Sequence, residues 1–261
     1  MIRLYNEEDF EGLRKAGKLA AELLDYLTDF VVEGVSTLKL DDLAVEFIRD
    51  NGATSACLNY EGFPKSICTS VNHVVCHGIP SEKKILHSGD IINIDVTVIL
   101  NGYYGDTSRM FYAGEPTIKG RLLTETCYES MWRGINQVKA GVRFGDIGEA
   151  IQTFVEAKGF SDVRDYVGHG IGKVFHDAPW VKHYGKAGTG EVMTSGMVFT
   201  IEPMINVGDY RVLTSKLDGW TVTTKDKSLS AQFEHTMGIK PDGMVEIFTL
   251  SPKGYKFPPY K

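Results

Sequence analysis

Two aspartates flank a predicted hairpin turn in the first half of the chain. From residue 90 to 98 apolar and polar residues alternate, which predicts a strand with one apolar face and one polar face carrying Asp95 and Thr97. Asn101-Gly102 is a two-residue turn signal that places Thr97 opposite Asp106, so Asp95 and Asp106 become diagonal neighbours. Such positions lie roughly 7–8 Å apart at the backbone, and two carboxylates can converge from them on metal ions spaced about 3.5–4 Å. Alternatively, both aspartates lie on a solvated sheet face, and the hairpin alone is equally consistent with that interpretation.

The second half of the chain supplies three further candidate ligands. Gly168-His169-Gly170-Ile171-Gly172 surrounds a histidine with residues that allow close backbone approach, and a neutral imidazole is a common metal ligand. This spacing matches neither the dinucleotide fingerprint nor a P-loop, which argues against a phosphate-binding loop. Glu202 lies in an apolar predicted strand, where an unpaired carboxylate is costly to bury. Glu234 follows a hairpin signal at Asp218-Gly219 and is predicted to end the last strand pair.

Taken together, these side chains form a hard, oxygen-rich donor set of carboxylates with one imidazole. Such a set suits a pair of divalent cations, with manganese, iron, cobalt and zinc as the candidates. Without cations, the clustered carboxylates would repel one another. The sequence therefore predicts a two-metal site built from Asp95, Asp106, His169, Glu202 and Glu234.

The elements that must position these residues repeat along the chain at an offset of 107 residues. Residues 34–52 and 141–159 each begin with Gly-Val, carry apolar residues at helical spacing and end with glycine. The segments 89–95 and 196–202 align at the same offset, which places Asp95 over Glu202. Chance similarity is common for helical segments, but the carboxylate match favours a true duplication.

A long amphipathic helix precedes each repeated segment. Apolar residues recur at helical spacing from Asn6 to about Glu33, and a counterpart runs from about Lys119 to Lys139. This order predicts an α+β fold of two pseudo-symmetric halves, about residues 1–115 and 116–261, whose sheets join face to face or edge to edge around a pseudo-twofold axis. Since no linker rich in Pro, Gly or Ser separates the halves, we expect a single catalytic domain over residues 1–261.

Composition excludes several functional classes. The net charge of -6 argues against attraction of the whole surface to nucleic acid or anionic lipid. The N-terminus turns acidic at Glu7-Glu8, unlike a secretory signal, and no apolar run approaches the roughly 20 residues that span a bilayer. The four cysteines form no CxxC pair and have no disulfide-dense spacing, which fits a reducing compartment. We therefore expect a cytoplasmic protein with no membrane partner and no sequence-specific nucleic-acid partner.

The chain closely resembles the type I methionine aminopeptidases of the short bacterial form. The resemblance covers essentially the whole chain, and its most specific pieces are six short runs: Cys76-His77-Gly78-Ile79-Pro80, Asn93-Ile94-Asp95-Val96-Thr97, Gly105-Asp106-Thr107-Ser108, Gly168-His169-Gly170-Ile171-Gly172, Thr200-Ile201-Glu202-Pro203 and Gln232-Phe233-Glu234-His235-Thr236. It implies the pita-bread (creatinase/aminopeptidase) fold, with two α/β halves around a central antiparallel sheet. It also implies the same five metal ligands, with Asp106 and Glu234 bridging two ions. The implied activity removes the initiator methionine from nascent polypeptide N-termini, favoured when the next residue is small.

The resemblance further implies roles for residues beside the metals. His77 and His176 contact the substrate, whereas His73, His87 and His183 are interpreted as surface or core residues and His235 as pointing to the opposite strand face. A soft, aromatic pocket suited to a thioether is expected from Cys57, Tyr60, Phe63, Cys68, Phe175 and Trp220. For the two cysteines, ordinary core packing is an equally supported interpretation. Glu61 departs from the pattern, because many bacterial relatives have histidine there, and this leaves the preference for the residue after methionine open.

The mechanistic hypothesis assigns a proton transfer to Glu202. A water held between two dications loses a proton near neutral pH, and Glu202 is the predicted general base for it. His176 would stabilise the oxyanion, while His77 contacts the substrate backbone. We expect a monomeric enzyme, and transient ribosome contact through local Lys/Arg loops fits an enzyme that acts on emerging chains.

Two rival functions share the predicted fold. A proline-directed exopeptidase would use all five ligands, but those relatives usually carry an added N-terminal domain, for which a helix beginning at about Asn6 leaves no room. A non-enzymatic binding module is the second rival. Such modules are marked by lost metal ligands, and none of the five is missing here.

Overall fold

In the computed structural model, which describes residues 2–260, four α-helices cover one side of a curved antiparallel sheet. Their bounds are Glu7–Leu27 (α1), Thr37–Asp50 (α2), Ile118–Ile135 (α3) and Phe144–Ala157 (α4). The first residues of α2 and α4, and likewise their last residues, are separated by the 107-residue offset found in the sequence. The glycines that precede them agree as well, since Gly34 and Gly141 adopt φ values of 88° and 90°. The predicted duplication is therefore confirmed for these helices.

Both long helices end earlier than predicted. The α1 helix ends at Leu27 and tightens into a 3₁₀ turn over Thr28–Phe30, so the predicted end at Glu33 is wrong. The chain turns away because the Gly34 N–H donates to the carbonyl of Leu86 in a distant loop. The α3 helix ends at Ile135, and Lys139, the predicted end of this helix, instead forms a β-bridge with Met244. In both cases tertiary hydrogen bonds override local helical periodicity.

Most strands are short, apart from one long hairpin. Their bounds are Thr54–Ser55 (β1), Cys68–Val71 (β2), Val74–Cys76 (β3), Asp90–Leu100 (β4), Tyr103–Ala113 (β5), Ser161–Asp162 (β6), Gly168–Gly170 (β7), Asp177–Val181 (β8), Val198–Ile201 (β9), Met204–Asn206 (β10), Val212–Thr214 (β11), Val222–Thr224 (β12), Ser230–Gln232 (β13), Glu234–Ile239 (β14) and Val245–Ile247 (β15). A second 3₁₀ turn spans Tyr60–Gly62.

Nine strands form the main sheet. Their order is β1-β4-β5-β14-β9-β7-β8, with β2 paired to β4 and β15 paired to β14. The two halves join edge to edge where β14 pairs with β5 on one side and β9 on the other. Two three-stranded sheets, β13-β10-β6 and β11-β12-β3, flank it. The α+β prediction is confirmed, and the open choice between face-to-face and edge-to-edge joining resolves to the latter.

The β4–β5 hairpin has the register predicted from its turn. Leu100 pairs with Tyr103, and Thr97 pairs with Asp106. The apolar face of β4 is fully buried beneath α1 and α2. An equivalent core beneath α3 and α4 buries Phe199 and Ile201 of β9. Since successive strand residues alternate between faces, the polar residues of both halves project away from the helices.

Among residues 2–260, no helix is long and apolar enough to cross a bilayer.

Candidate metal centre and active-site cavity

The predicted ligands lie on one face of the main sheet. Asp95 pairs with Ser108, and Ser108 also pairs with Glu234 on the other side of β5. Glu202 follows Ile201, which pairs with His235, so the same register continues to place Glu202 opposite Glu234. Residues directly opposite one another project from the same face. The hydrogen-bonding register alone therefore aligns three carboxylates in one row across the sheet.

Two more ligands complete the cluster. Donor atoms of Asp106, His169 and Glu234 all lie within 4.8 Å of one another. His169 Nε2 lies 3.6 Å from Asp106 Oδ2 and 3.5 Å from Glu202 Oε1. Asp95 lines the same cavity as Asp106, His169, Glu202 and Glu234. The structure thus brings together all five residues singled out in the sequence.

The electrostatics of this cluster favour bound cations. Burial raises the pKa of Asp95, Asp106, Glu202 and Glu234, and repulsion from neighbouring carboxylates adds to this for the last three. Asp95 Oδ1 is buried and has no hydrogen-bond partner among the described residues. No lysine or arginine lines the surrounding cavity within residues 2–260. Divalent cations would compensate this charge, so the residues present fit a metal centre.

His169 presents a lone pair to the carboxylates. Its Nδ1 lies 3.1 Å from the carbonyl oxygen of Gly170, which makes Nδ1 the protonated nitrogen and leaves Nε2 free. Burial lowers its pKa to about 3, so the ring is neutral. A neutral imidazole whose other nitrogen donates to a backbone carbonyl is the usual form of a metal-ligating histidine.

Two threonine hydroxyls hold ligand carboxylates in place. Thr97 Oγ1 donates to Asp106 Oδ1 at 2.7 Å. Thr200 Oγ1 donates to Glu202 Oε1 at 2.7 Å and accepts the His169 N–H at 3.0 Å. Each threonine stands two residues from a ligand on the same strand face. That spacing was visible in the sequence, but it was not interpreted as a supporting role.

Glu202 is also held from two other directions. Its backbone N–H donates to His183 Nε2 at 3.1 Å, and its Oε2 accepts from Gln232 Nε2 at 3.3 Å. His183 is buried, in agreement with its interpretation as a core residue, yet it also contacts the metal centre. The sequence carried no signal for this contact, because Glu202 and His183 lie on different segments.

The glycines around His169 are required by close packing. A Cβ atom at Gly168 would lie 2.4 Å from the Thr200 carbonyl oxygen, and one at Gly170 would lie 2.2 Å from the Ala178 carbonyl oxygen. Both distances are too short for any side chain. The β7 strand can therefore approach its neighbours only with glycine on either side of the ligand.

One prediction about Glu234 is wrong. It begins β14 and does not end the last strand pair, since β14 continues to Ile239 and then pairs with β15. His235 points to the opposite face as predicted, where its Nδ1 lies 2.9 Å from Thr249 Oγ1. It lines a separate cavity of about 230 Å³ on that side of the sheet.

The metal cluster forms the floor of a cavity of about 360 Å³. Its walls include the predicted substrate-contacting histidines and every predicted methionine-pocket residue: Cys57, Tyr60, Phe63, Cys68, His77, Phe175, His176 and Trp220. The aromatic rings contact one another, with centroids 4.8 Å apart for Tyr60 and Phe175 and 5.3 Å apart for Phe63 and Trp220. Cys57 and Cys68 are buried in the same apolar cluster. The two cysteines therefore line the cavity and also pack within this cluster.

His77 and His176 stand beside the cluster as neutral rings. Burial lowers the pKa of each to about 4, and the pKa of His176 is lowered further by His77. His176 Nδ1 lies 2.9 Å from the Tyr60 hydroxyl, and its ring centroid lies 4.2 Å from that of His169. His77 adopts a positive φ of 55° and contacts Trp220 edge to face.

Comparison with known proteins assigns this arrangement to a family. The model of metallopeptidase family M24 matches residues 11–241. A methionine aminopeptidase from Rickettsia prowazekii is 59% identical over 259 residues, covering 99% of each chain. The crystal structure of methionine aminopeptidase from that organism superposes with a TM-score of 0.94, at 59% identity, and covers 96% of this chain and 100% of that one. An Xaa-Pro dipeptidase from Bacillus anthracis is more distant, with a TM-score of 0.74 and 25% identity. Its match covers 95% of this chain and 62% of that one.

Proposed function

The chain belongs to the methionine aminopeptidases of metallopeptidase family M24, and we propose on that premise that it removes the initiator methionine from nascent polypeptides. It has the pita-bread fold and is a metal-dependent hydrolase. The observation that carries the proposal is the position of the carboxylate cluster at the floor of a cavity with an aromatic, thiol-containing wall. A chain end can enter such a cavity, whereas an internal peptide segment would have to pass through it.

Five side chains would hold the metal: Asp95, Asp106, His169, Glu202 and Glu234. We propose that these residues would hold two divalent ions, drawn from cobalt, manganese, iron and zinc. When bound, the ions supply Lewis acidity, which lowers the pKa of water and polarises a carbonyl. Divalent metal use agrees with the family, and the choice of ion depends on cellular supply as well as on ligand type.

Glu202 is the proposed general base. Thr200 occupies its Oε1 and Gln232 contacts its Oε2, so the carboxylate has a fixed orientation toward the cavity. A carboxylate held in this way accepts the proton of the attacking water without first reorganising. Gln232, Thr200 and His183 act through Glu202 as positioning residues.

His176 is the proposed donor to the developing oxyanion. If the Tyr60 hydroxyl donates to Nδ1 of His176, the ring proton lies on Nε2, where it can donate to the substrate carbonyl. His77 lies on the cavity wall beside Trp220 and is proposed to contact the substrate backbone. The methionine side chain would occupy the cluster of Cys57, Tyr60, Phe63, Cys68, Phe175 and Trp220, whose soft and aromatic surfaces suit a thioether.

The proposed setting is the cytoplasm, where new chains emerge from ribosomes. We propose that residues 1–261 act as one catalytic domain and as a monomer, with transient ribosome contact through Lys/Arg loops. A small residue after methionine is the favoured substrate, and Glu61 on the cavity rim is positioned to influence that choice. A proline-directed exopeptidase is not favoured, because the matched Xaa-Pro dipeptidase is far less similar than the methionine aminopeptidases.

Paired peptide assays test the proposal directly. Protein purified without added metal would be analysed for metal, reconstituted, and assayed on Met-Ala-Ser and Ala-Pro-Ser peptides. We expect release of methionine from the first and little cleavage of the second. Glu202→Gln should reduce kcat by about 10²–10⁴-fold, the typical contribution of general acid–base catalysis.

Two controls make the result interpretable. The far-UV circular dichroism of Glu202→Gln should match that of the parent, and Glu191→Gln, an exposed glutamate outside the cavity, should retain full activity. Full activity of Glu202→Gln would remove that residue from the base role. Cleavage of Ala-Pro-Ser alone would instead reject methionine excision.

A further inference from the structure

Trp180 is an exposed tryptophan at the edge of the active-site cavity. Its relative exposure is 58%, whereas its strand neighbours Pro179 and Val181 are buried. Within β8 it pairs directly with His169 of β7. Opposite residues in an antiparallel pair project from the same face, with Cβ atoms about 4.5–5.5 Å apart. The indole therefore begins one cross-strand spacing from a metal ligand and extends outward to solvent.

This tryptophan is separate from the proposed methionine pocket. The pocket residues belong to one buried cluster that includes Phe63, Phe175 and Trp220, and Trp180 is not part of it. Among the described residues, no aromatic ring stacks on the Trp180 indole, although the pocket rings contact one another. Trp180 nevertheless lines the cavity. The Trp180 indole thus remains an exposed apolar surface on the cavity rim when a methionine side chain occupies the pocket.

The reach of a peptide indicates what this wall would contact. In an extended chain each residue spans about 3.3–3.6 Å. With methionine in its pocket and the scissile carbonyl over the metal ligands, the next residue would still lie within the cavity. The third residue of the substrate would then reach the rim, where the Trp180 indole, on the strand position opposite His169, would lie alongside it. Tryptophan side chains bury a large apolar area and are enriched among the residues that contribute most to binding energy.

We propose that Trp180 is a specificity-determining residue that binds the side chain of the third substrate residue and favours large apolar or aromatic side chains there. This proposal rests on methionine excision as the function of the site. Contact with Trp180 stabilises the bound substrate and the transition state equally, so the preference should appear in KM with little change in kcat. We expect a preference of 3–10-fold, or about 0.6–1.4 kcal/mol.

The test compares peptides that differ only in where a phenylalanine stands. Reconstituted enzyme would be assayed on Met-Ala-Phe-Gly, Met-Ala-Gly-Phe and Met-Ala-Gly-Gly. Only the first should show the lower KM. In Trp180→Ala its advantage in kcat/KM should fall to about 1, whereas Trp180→Phe should retain part of it. Leu217→Ala is the matched control, because Leu217 is fully exposed and does not line the cavity.

Three results would overturn the inference. The first is an equal KM for all three peptides in the parent enzyme, and the second is an advantage that survives in Trp180→Ala. The third is loss of that advantage in Leu217→Ala. These results leave methionine excision intact, since Met-Ala-Gly-Gly is still cleaved. Failure to cleave any of the peptides would instead reject the proposed function, and this inference with it.

Discussion

Thr200→Val removes a single hydroxyl that holds two metal ligands at once. The side chain keeps its shape, but Glu202 Oε1 loses a donor at 2.7 Å and the His169 N–H loses an acceptor at 3.0 Å. Thr200 and His169 are both buried, so water cannot easily replace the lost partner. An unsatisfied buried donor costs about 1–3 kcal/mol, and a hydrogen bond to a charged group contributes about 1.5–3 kcal/mol.

These losses should appear mainly as weaker metal binding. Removing a group that orients metal ligands typically reduces affinity by about 10–100-fold, or about 1.4–2.7 kcal/mol. The assay is calorimetric titration of metal-free protein with manganese, followed by activity measured at each metal concentration. At saturating metal the variant should regain most of its activity although its metal affinity stays low, since Glu202 itself remains.

The conservative variant separates this role from general stability. Thr200→Ser retains the hydroxyl and should bind metal with nearly the parental affinity, although it loses a buried methyl group. Thr124→Val is a second control, because it removes a buried hydroxyl that donates to the carbonyl oxygen of Gly120 in α3 and does not line the active-site cavity. Parental metal affinity in Thr200→Val would refute the reasoning, as would an equal loss of affinity in Thr124→Val.

Two further predictions concern folding. Burial raises the pKa of Asp162 to about 6, and neither carboxylate oxygen has a hydrogen-bond partner among the described residues. The native state therefore retains a proton that the unfolded chain has lost, so this contribution to stability is present below about pH 4 and is lost as the pH rises through about 6. The free energy of unfolding of Asp162→Asn, measured with urea relative to wild type, should rise by up to about 3 kcal/mol from pH 4 to pH 7.5. A difference between variant and wild type that does not change with pH would contradict this. Gly170→Ala should destabilise the protein and abolish metal binding, because the new Cβ would lie 2.2 Å from the Ala178 backbone oxygen. A thermal melt and metal titration matching those of wild type would show that β7 tolerates a side chain.

The ligand strands could be predicted because local rules determine them. Alternation along β4 and the Asn101-Gly102 turn fix which residues oppose one another, and the observed pairing of Thr97 with Asp106 follows from those two features. The duplication extended this reasoning to Glu202, since it aligns the segments of β4 and β9, which lie on either side of the paired strands β5 and β14.

The remaining features depend on contacts between distant segments. The predicted α1 helix is longer than the observed one because apolar residues continue at helical spacing past Leu27. The hydrogen bond from Gly34 to Leu86 redirects the backbone there. His183 gave no local sign that its ring accepts the Glu202 N–H. Trp180 was likewise not identified, because its importance comes from pairing with His169 across two short strands. Pairing of this kind has no signature in either segment alone.

The joining strand β14 explains why neither half could hold the centre alone. The first half contributes Asp95 and Asp106, and the other ligands reach them only because β14 pairs with β5 at Ser108. A slip of one residue would turn Glu234 to the helix-covered face and His235 toward the metal ligands. Contacts on the helix-covered face oppose that slip. There His235 hydrogen-bonds with Thr249, and its ring centroid lies 5.9 Å from that of Trp132. The buried contacts of His235 therefore help to keep Glu234 in the metal centre, although His235 itself faces away from it.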